Sequence, residues 1–488
     1  MSLVEKPPAQ SGDTADEQQT SSPKSDPKIM EEAEKPSVQR HNFPDGGGDA
    51  WTVSRCRCLA GHLHLVRIPQ CIWSFQAYYK SHQLAHKSES EIAWIGSFQT
   101  FCMFFMGSVF GSIFDRFGAR SLVILGGVGF SFACMMQSIW FVSFEAVRLE
   151  SLRIIIDSTE YWQFFLAQAL LQGICLSALF SPTFPCINHW FFKRRGLALG
   201  IATSGSSVGG VVWPIMINNL IIKVGFGWAL RICGFFALVM TAGAATMVKG
   251  RLPPRTDPEF FAFPLFRQPA YTFFCFGMLF IIFGIFFLIF YIPSYGAIHG
   301  FSPNMIFYSV SILNAASFFG RIFPGMAADT RGRYNIMIIA SISSAVLTIA
   351  SIAATDTSSI LVIGAMYGFT SGSIISIQAA CIPPLLDDPR KTGVAIGQML
   401  SIGGFGALLG PPICGWLITS HGCKGAQIFS GVMLAIGTVL LVSNVSYCAL
   451  ADLFIITWSL DIDHRLSPEA TSQNPPESSS FERRCCCE

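Results

Sequence analysis

Residues 111–120, GSIFDRFGAR, place one aspartate and two arginines between two long apolar segments of the chain. A second stretch, 325–333, reads GMAADTRGR and repeats the pattern G-x-x-x-D-x-x-G with arginines close by. The two aspartates, Asp115 and Asp329, are 214 residues apart. A polar motif that recurs at matching places in two apolar regions indicates that the chain consists of two related halves.

The composition of the chain points to lipid as its main solvent. Of the 488 residues, 51% are hydrophobic and 13% are charged, whereas soluble domains carry about 25% charged residues. The net charge of +2 and the lack of a long basic run give no sign of a nucleic-acid partner. The 16 cysteines lie mostly singly within apolar runs, so we expect no disulfide framework, no metal site and no cofactor.

The apolar segments predict an all-α membrane protein. A helix needs about 20 apolar residues to cross a bilayer. Eleven segments qualify: 92–114, 119–141, 161–187, 196–222, 227–248, 270–295, 306–328, 335–354, 358–382, 391–418 and 426–457. A twelfth span at 51–79 is atypical because it contains Arg55, Arg57 and Arg67, and each central arginine costs about 2.5–3.5 kcal/mol. We therefore predict twelve transmembrane helices in two six-helix bundles, with an atypical first helix.

The basic residues of the loops predict the topology. They concentrate in the loop at 111–120 and in every second loop after it, which is the positive-inside pattern and places both termini in the cytosol. The predicted domains are a disordered cytosolic N-terminal tail, an N-terminal six-helix bundle, a central cytosolic loop, a C-terminal six-helix bundle and a cytosolic C-terminal tail. Their boundaries are 1–43, 44–250, 251–269, 270–457 and 458–488, respectively.

Several motifs resemble those of a known transporter family. The stretch at 111–120 resembles the signature loop of the major facilitator superfamily. WFFKRRGLALGIATSGSSVGGVVW at 190–213 and PDGG…AW at 44–51 resemble the monocarboxylate-porter branch, and phrases such as FYIPSY are similar to its fungal members. The signature residues are Asp45, Gly46, Gly47, Trp51, Lys193, Arg194, Arg195 and Gly196. The resemblance covers about 80–460.

The superfamily resemblance implies a conformational gate at the repeated motif. In such transporters the loop aspartate is thought to hold one half against the start of the eleventh span, here near Thr392, in the outward-facing state. The candidate gating residues are Gly111, Asp115, Arg116, Gly118, Arg120, Asp329, Arg331 and Arg333. The alternative is a basic loop that only sets the topology; the duplicate at Asp329 favours the gate.

Arg321 is one of the few ionisable residues deep within a predicted span. An intramembrane arginine usually faces a water-filled cavity and can bind a carboxylate. The resemblance implies that an arginine here binds the substrate anion and takes part in proton coupling, although Ser317 stands where animal members have an aspartate. The alternative is an arginine that snorkels to lipid phosphates. Asn314 and Gln378 are further candidates for this polar path, but single amides also pair between helices.

These features predict a secondary active transporter that moves a small, anionic organic acid or secondary metabolite by alternating access. The fungal members that the sequence resembles include exporters, which favours efflux. A proton or solute gradient would drive it, and its partners would be the solute and membrane lipids. We expect the plasma membrane in preference to the vacuole. A G-x-S-x-G match at 205–209 does not indicate an enzyme, because it lies within an apolar span and not at a strand-turn-helix junction.

Two alternatives to transport remain at this stage. One is a membrane sensor or transceptor that keeps the fold and transports little. The other is a non-functional product of a mispredicted gene model, because the resemblance breaks off abruptly at 52–73 and 141–160.

Overall fold

The computed structural model describes residues 89–147, 161–163, 165–248, 261–386 and 388–466. All regular secondary structure in these ranges is helical. The α-helices are, in order, α1 Glu89–Phe105, α2 Gly107–Phe117, α3 Ala119–Val147, α4 Gly173–Phe180, α5 Thr183–Trp190, α6 Arg195–Met247, α7 Pro269–Ile298, α8 Pro303–Arg331, α9 Arg333–Ala350, α10 Thr357–Ile377 and α11 Thr392–Leu466. A π-helix, Phe165–Gln172, precedes α4, and short 3₁₀ helices are Phe263–Arg267, Gln378–Ala380, Pro383–Leu385 and Pro389–Lys391.

Two of the helices, α6 and α11, each contain two predicted spans. Gly225 divides α6 and Gly422 divides α11, with φ angles of 78° and 74°. This left-handed backbone region favours glycine because it has no Cβ. Each helix therefore has a first and a second arm, and the two glycines mark the same turn in the two halves.

The helices are long and apolar enough to cross a bilayer. Eight qualify by length and hydropathy in the described part of the chain, including the two double-armed helices. Helix α8 has 29 residues, which corresponds to a length of about 43 Å at 1.5 Å per residue. Each of the eleven predicted segments corresponds to helical structure, which confirms the all-α fold. The predicted first span at 51–79 lies outside the described residues.

The outer faces of these helices are strongly apolar. Leu125 is 70% exposed, Ile222 76% and Val239 70%. Large aliphatic side chains at this exposure would be unfavourable in water but are compatible with lipid, and helices satisfy their backbone hydrogen bonds internally. The molecule is a multi-pass membrane protein.

The two halves, 89–248 and 261–466, pack against each other in two places. In what we call the first seam, α1 and α2 pack against the first arm of α11. In the second seam, α8 packs against the first arm of α6. An apolar core cluster extends over both halves and includes Leu122, Leu199 and Met399.

Several predicted boundaries fall at or beyond the limits of the described residues. The tail at 1–43 and the motif at 44–51 lie outside them, as does most of the predicted central loop. Helix α11 continues to Leu466, past the predicted start of the C-terminal tail at 458. The segment at 141–160, where the resemblance breaks off, is helical as far as Val147, and 148–160 lies outside the described ranges.

Candidate functional site

The first seam contains a carboxylate that caps a helix of the opposite half. Asp115, near the end of α2, is 8% exposed. Its two carboxylate oxygens accept hydrogen bonds from the backbone N–H groups of Gly393, at 3.2 Å, and Val394, at 2.9 Å. First-turn N–H groups have no acceptor within their own helix, and the helix dipole favours a negative charge there. Asp115 thus joins the first half to the start of α11.

The second seam has a matching carboxylate. Asp329, near the end of α8, accepts hydrogen bonds from the N–H groups of Gly196, at 2.7 Å, and Leu197, at 2.8 Å, at the start of α6. Arg333 lies 3.8 Å from the same carboxylate and also donates to the carbonyl oxygen of Phe192, at 2.9 Å, in the first half. The two seams therefore use the same contact between a carboxylate and first-turn N–H groups, and Arg333 lies beside the carboxylate of the second seam.

Both carboxylates lie at the same end of the molecule. Asn188, near the end of α5, donates to the carbonyl oxygen of Ala379, in the 3₁₀ helix that follows α10, at 3.1 Å. This bond links the segments that precede α6 and α11 across the halves. The loops here also carry the basic residues, so we call it the charged end. In the described part of the chain, hydrogen bonds between the halves extend from this end to the level of Arg321 and Ser401.

Glycines allow the backbones to touch within the seams. A Cβ atom at Gly111 would overlap the carbonyl oxygen of Gly393. A Cβ atom at Gly325 would lie 2.6 Å from the carbonyl oxygen of Gly196. One or two turns deeper, a Cβ at Gly397 would overlap the carbonyl oxygen of Gly107. No side chain can be accommodated at such backbone contacts, so close approach requires glycine.

The two seams differ at one equivalent position. A Cβ at Gly200 would overlap the carbonyl oxygen of Arg321, just as one at Gly397 would overlap that of Gly107. Arg321 and Gly107 therefore occupy matching places, each eight residues before the aspartate of its own seam. At this depth the second seam carries the positive charge of Arg321, whereas the matching place in the first seam is a glycine.

Arg321 is buried between the halves and held by neutral groups. Its side chain is 4% exposed. The Nη1 atom donates to the carbonyl oxygen of Thr203 and to the Oγ of Ser206, both on α6, and Nε donates to Ser317 Oγ at 3.4 Å. None of the carboxylates in the described ranges forms an ion pair with it. A buried cation without a counter-ion is costly, so this site favours an anion.

A serine of the second half bridges the interruption between α1 and α2 at Met106. Ser401 Oγ donates to the carbonyl oxygen of Phe105 at 2.7 Å and accepts from the N–H of Ser108 at 3.2 Å. The hydroxyl thereby bonds backbone groups on both sides of Met106, whose own hydrogen bonds to Cys102 and Phe110 are retained. The sequence analysis did not identify Ser401, because a lone serine in an apolar span has many possible partners.

The two amides predicted for the polar path bond within their own segments. Asn314 Nδ2 donates to the carbonyl oxygen of Val310 at 3.0 Å, and Gln378 Nε2 donates to that of Ile375 at 3.3 Å. Neither bond reaches Arg321. Thr203 and Ser206 contact Arg321 instead. The sequence analysis placed Ser206 only within the hydrolase-like match at 205–209, and it did not identify Thr203.

The remaining predicted residues fall into four groups. Arg116, Arg120, Arg331, Lys193 and Arg194 are exposed at the charged end. Arg195 is buried, and its Nε donates to the carbonyl oxygen of Phe191 at 3.0 Å. Gly118 has a φ of 77° between α2 and α3, where glycine is favoured. Asp45, Gly46, Gly47 and Trp51 lie outside the described residues.

Two chemical alternatives can be compared with this geometry. Residues 205–209 lie within helix α6 rather than at a strand-turn-helix junction. Within the ranges that the structure describes, no group of three or more His, Cys, Asp or Glu side chains is arranged to hold a metal ion.

The family is established by comparison with known proteins. A family model described as "Major Facilitator Superfamily" matches residues 71–397 and 315–447. The chain belongs to the major facilitator superfamily. It is 36% identical over 405 residues to a facilitator named "Aspyridones efflux protein apdF" from Emericella nidulans, covering 82% of this chain and 78% of that protein.

Other facilitators support the same assignment. The "Agnestins efflux protein AgnL12" of Paecilomyces divaricatus is 35% identical, covering 75% of this chain and 81% of its own. The "Fujikurins efflux protein" of Gibberella fujikuroi is 34% identical, covering 82% and 83%. Among solved structures, the "human organic anion transporter MFSD10 (TETRAN)" matches with a TM-score of 0.59 and 13% identity, covering 81% of this chain and all of that one. That likeness shows the facilitator fold.

Proposed function

We propose that this facilitator is a secondary active transporter that exports a small organic acid or an acidic secondary metabolite by alternating access. The observation that carries the proposal is Arg321, a cation buried between the two halves with neutral partners only. Relatives named as efflux proteins for aspyridones, agnestins and fujikurins support export of a secondary metabolite. The fold match to a transporter named for organic anions is compatible with an acidic solute.

Alternating access follows from the two seams. In the described part of the chain, the contacts between the halves at the charged end are non-covalent: hydrogen bonds, glycine contacts and apolar packing. The positive-inside pattern assigns that end to the cytosol, so the conformation described here is closed toward the cytosol. Separation of both seams would open a path from the cytosol to Arg321. Asp115 and Asp329 are the gating carboxylates in this scheme, with the arginines around them holding the loops on the cytosolic side.

We assign the protein to the fungal branch of the monocarboxylate porters. The motif at 190–196 supports this assignment, with Lys193, Arg194, Arg195 and Gly196 in the pattern of that branch. Arg321 would bind the anionic group of the solute, and a proton or solute gradient would drive the cycle. Ser317 replaces the carboxylate that would otherwise partner this arginine, so the coupling differs from that of lactate porters. The plasma membrane is the proposed site of action.

Export can be tested in two steps. Metabolite profiles inside and outside cells, with and without the gene, identify the acid that accumulates inside when the gene is deleted. Purified protein in proteoliposomes should then catalyse counterflow of that acid. A sensor would bind the acid without counterflow, and an unaltered profile together with no counterflow would contradict the proposal.

Neutralising the gating carboxylates should slow transport. In Asp115→Asn and Asp329→Asn, the side chain keeps its size but loses the charge that makes its two hydrogen bonds strong. Hydrogen bonds to charged groups contribute about 1.5–3 kcal/mol, so we expect each variant to lower the counterflow rate roughly tenfold by destabilising the closed charged end. The measurement is initial counterflow at equal amounts of reconstituted protein.

Asp356 provides a matched control for these variants. It caps α10 within its own half by accepting from the N–H of Ser359 at 3.0 Å and from its hydroxyl at 2.7 Å. These bonds hold the pKa of the Asp356 carboxyl below its usual range. Asp356→Asn should transport as the wild type does. Equal rates for Asp115→Asn, Asp329→Asn and Asp356→Asn would contradict the gating role.

A further inference from the structure

The neutral groups around Arg321 come from two different halves of the molecule. Ser317 is on α8, one turn from Arg321, and its bond to Nε stays within that helix. Thr203 and Ser206 are on α6, in the opposite half, and both accept from Nη1. The bond to Ser317 can therefore persist when the halves separate, whereas the two bonds from α6 require a closed second seam.

The hydroxyl of Ser206 is oriented to accept from the guanidinium group. Its own proton is donated to the carbonyl oxygen of Thr203, at 3.1 Å, which leaves its lone pairs for Arg321 Nη1. The carbonyl oxygen of Thr203 accepts hydrogen bonds from both the Ser206 hydroxyl and Arg321 Nη1. We call these two acceptors the α6 cup. The cup offers the guanidinium two oxygen acceptors, as a carboxylate does.

The approach of the cup depends on Gly200. Because any Cβ at this position would overlap the carbonyl oxygen of Arg321, α6 and α8 are in backbone contact one turn before the cup. Closure of the charged end therefore brings the cup onto the arginine. In the first seam, the equivalent position is Gly107, which has no side chain for such a cup to bind.

We propose that Ser206 is a positioning residue whose hydroxyl competes with the solute's carboxylate for Arg321 when the charged end closes. This inference rests on the proposed export function. An exporter must bind its solute from the cytosol and release it on the other side. Engagement of the cup on closure lowers the affinity of Arg321 for the anion, because both N–H groups of Nη1 are then donated to the cup. Release of the solute is thereby coupled to closure of the cytosolic gate.

The cup also explains how the buried guanidinium group of Arg321 keeps its hydrogen-bond acceptors when no solute is bound. After the anion leaves, the guanidinium would otherwise be buried with Ser317 as its only described side-chain partner. The two acceptors on α6 replace the lost hydrogen bonds, which reduces the cost of burying an empty site. The ligand class that fits is a carboxylate or an equally acidic enolate, which can accept two hydrogen bonds from one guanidinium group.

The test uses chemical modification of Arg321, so it needs no knowledge of the natural solute. Phenylglyoxal reacts with arginine side chains, and mass spectrometry of the full-length protein in detergent would report the rate at Arg321. Benzoate serves as a simple carboxylate probe that should protect the residue. We expect Ser206→Ala to react about tenfold faster and to be protected at about tenfold lower benzoate concentration, because one bond to a charged group is lost.

Two variants separate positioning from a general effect on the fold. Ser204→Ala removes a hydroxyl that donates to Ile201 within the same helix, at 2.7 Å, and should match the wild type in both readouts. Ser206→Thr keeps the hydroxyl and should restore both wild-type values. Elution of each variant as a single folded species in size-exclusion chromatography verifies that the comparison is valid.

The outcomes distinguish the cup from the proposed export function. If benzoate protects the wild type and Ser206→Ala gains neither reactivity nor benzoate affinity, the proposed role of the cup is refuted and the proposed export function is unaffected. If benzoate does not protect Arg321 in the wild type and proteoliposomes show no counterflow, the export function itself is refuted. Faster modification in Ser206→Ala, reversed in Ser206→Thr, together with tighter benzoate protection supports the cup.

Discussion

Arg321→Ala should abolish export of an anionic solute while leaving the amount of folded protein in the membrane unchanged. The guanidinium is a buried cation between the two halves, and a paired hydrogen bond to a carboxylate is worth about 3 kcal/mol or roughly a hundredfold in affinity. We therefore expect counterflow to fall by about that factor. The fold should tolerate the change because the partners of Arg321 are neutral, so the substitution leaves no unpaired charge behind.

Two further variants control for this result. Arg321→Lys keeps the charge but loses the planar arrangement of donors, so its activity should lie between those of the wild type and the alanine variant. Arg231 donates to Ser138 at 2.8 Å and lies 4.8 Å from the Trp228 ring, all within the first half. Arg231→Ala should export normally. Wild-type counterflow by Arg321→Ala, at equal protein abundance, would remove Arg321 from the transport site.

The sequence was sufficient to predict the membrane spans because the bilayer sets their length. Each described span corresponds to helical structure, and the turns at Gly225 and Gly422 separate segments that the hydropathy pattern had already divided. The irregularities were not predictable in this way. The irregular turn at Met106 follows no proline or charged residue in the chain, and it coincides with a hydrogen bond from Ser401 to Phe105 and one from Ser108 to Ser401. Such a feature depends on tertiary contacts, which hydropathy does not describe.

The capping contacts of Asp115 and Asp329 could be predicted on one side only. The repeated motif identified Asp115 and Asp329, and the family resemblance indicated a contact near Thr392; the structure places Asp115 against the next two residues. The partners of Asp329 at Gly196 and Leu197 are backbone N–H groups, which any sequence provides. Side-chain patterns carry no information on which N–H groups a carboxylate will meet.

Glycine spacing also failed to distinguish the seams from other helix contacts. Gly196 and Gly200 lie in the second seam, where they touch α8. Gly406 and Gly410 have the same spacing, but they pack against the backbone of α7 within one half, where a Cβ would lie 2.7 Å from Leu279 O or 2.6 Å from Phe283 O. Small residues four apart predict close packing, whereas the identity of the neighbour follows from the arrangement of all helices.

A leucine at Gly397 should eliminate transport by preventing the first seam from closing. Any Cβ there would overlap the carbonyl oxygen of Gly107 and approach the Cα of Ser108 to 2.9 Å. These are backbone atoms, which cannot move aside without displacing the helix. Because the overlap exists only when the halves meet, each half should still fold. We expect counterflow to fall at least about tenfold, as the penalty for overpacking is about 1–3 kcal/mol or more.

Gly243 offers the control for this substitution. It is also helical and exposed, on the second arm of α6, and a Cβ there would have no heavy atom within 4 Å. Gly243→Leu should therefore transport normally and fold as well as the wild type. In Gly397→Leu, a seam held open should also expose Arg321 to phenylglyoxal from the charged end, so modification should accelerate as transport falls. Normal counterflow with unaltered modification in Gly397→Leu would show that closure of the first seam is unnecessary for the transport cycle.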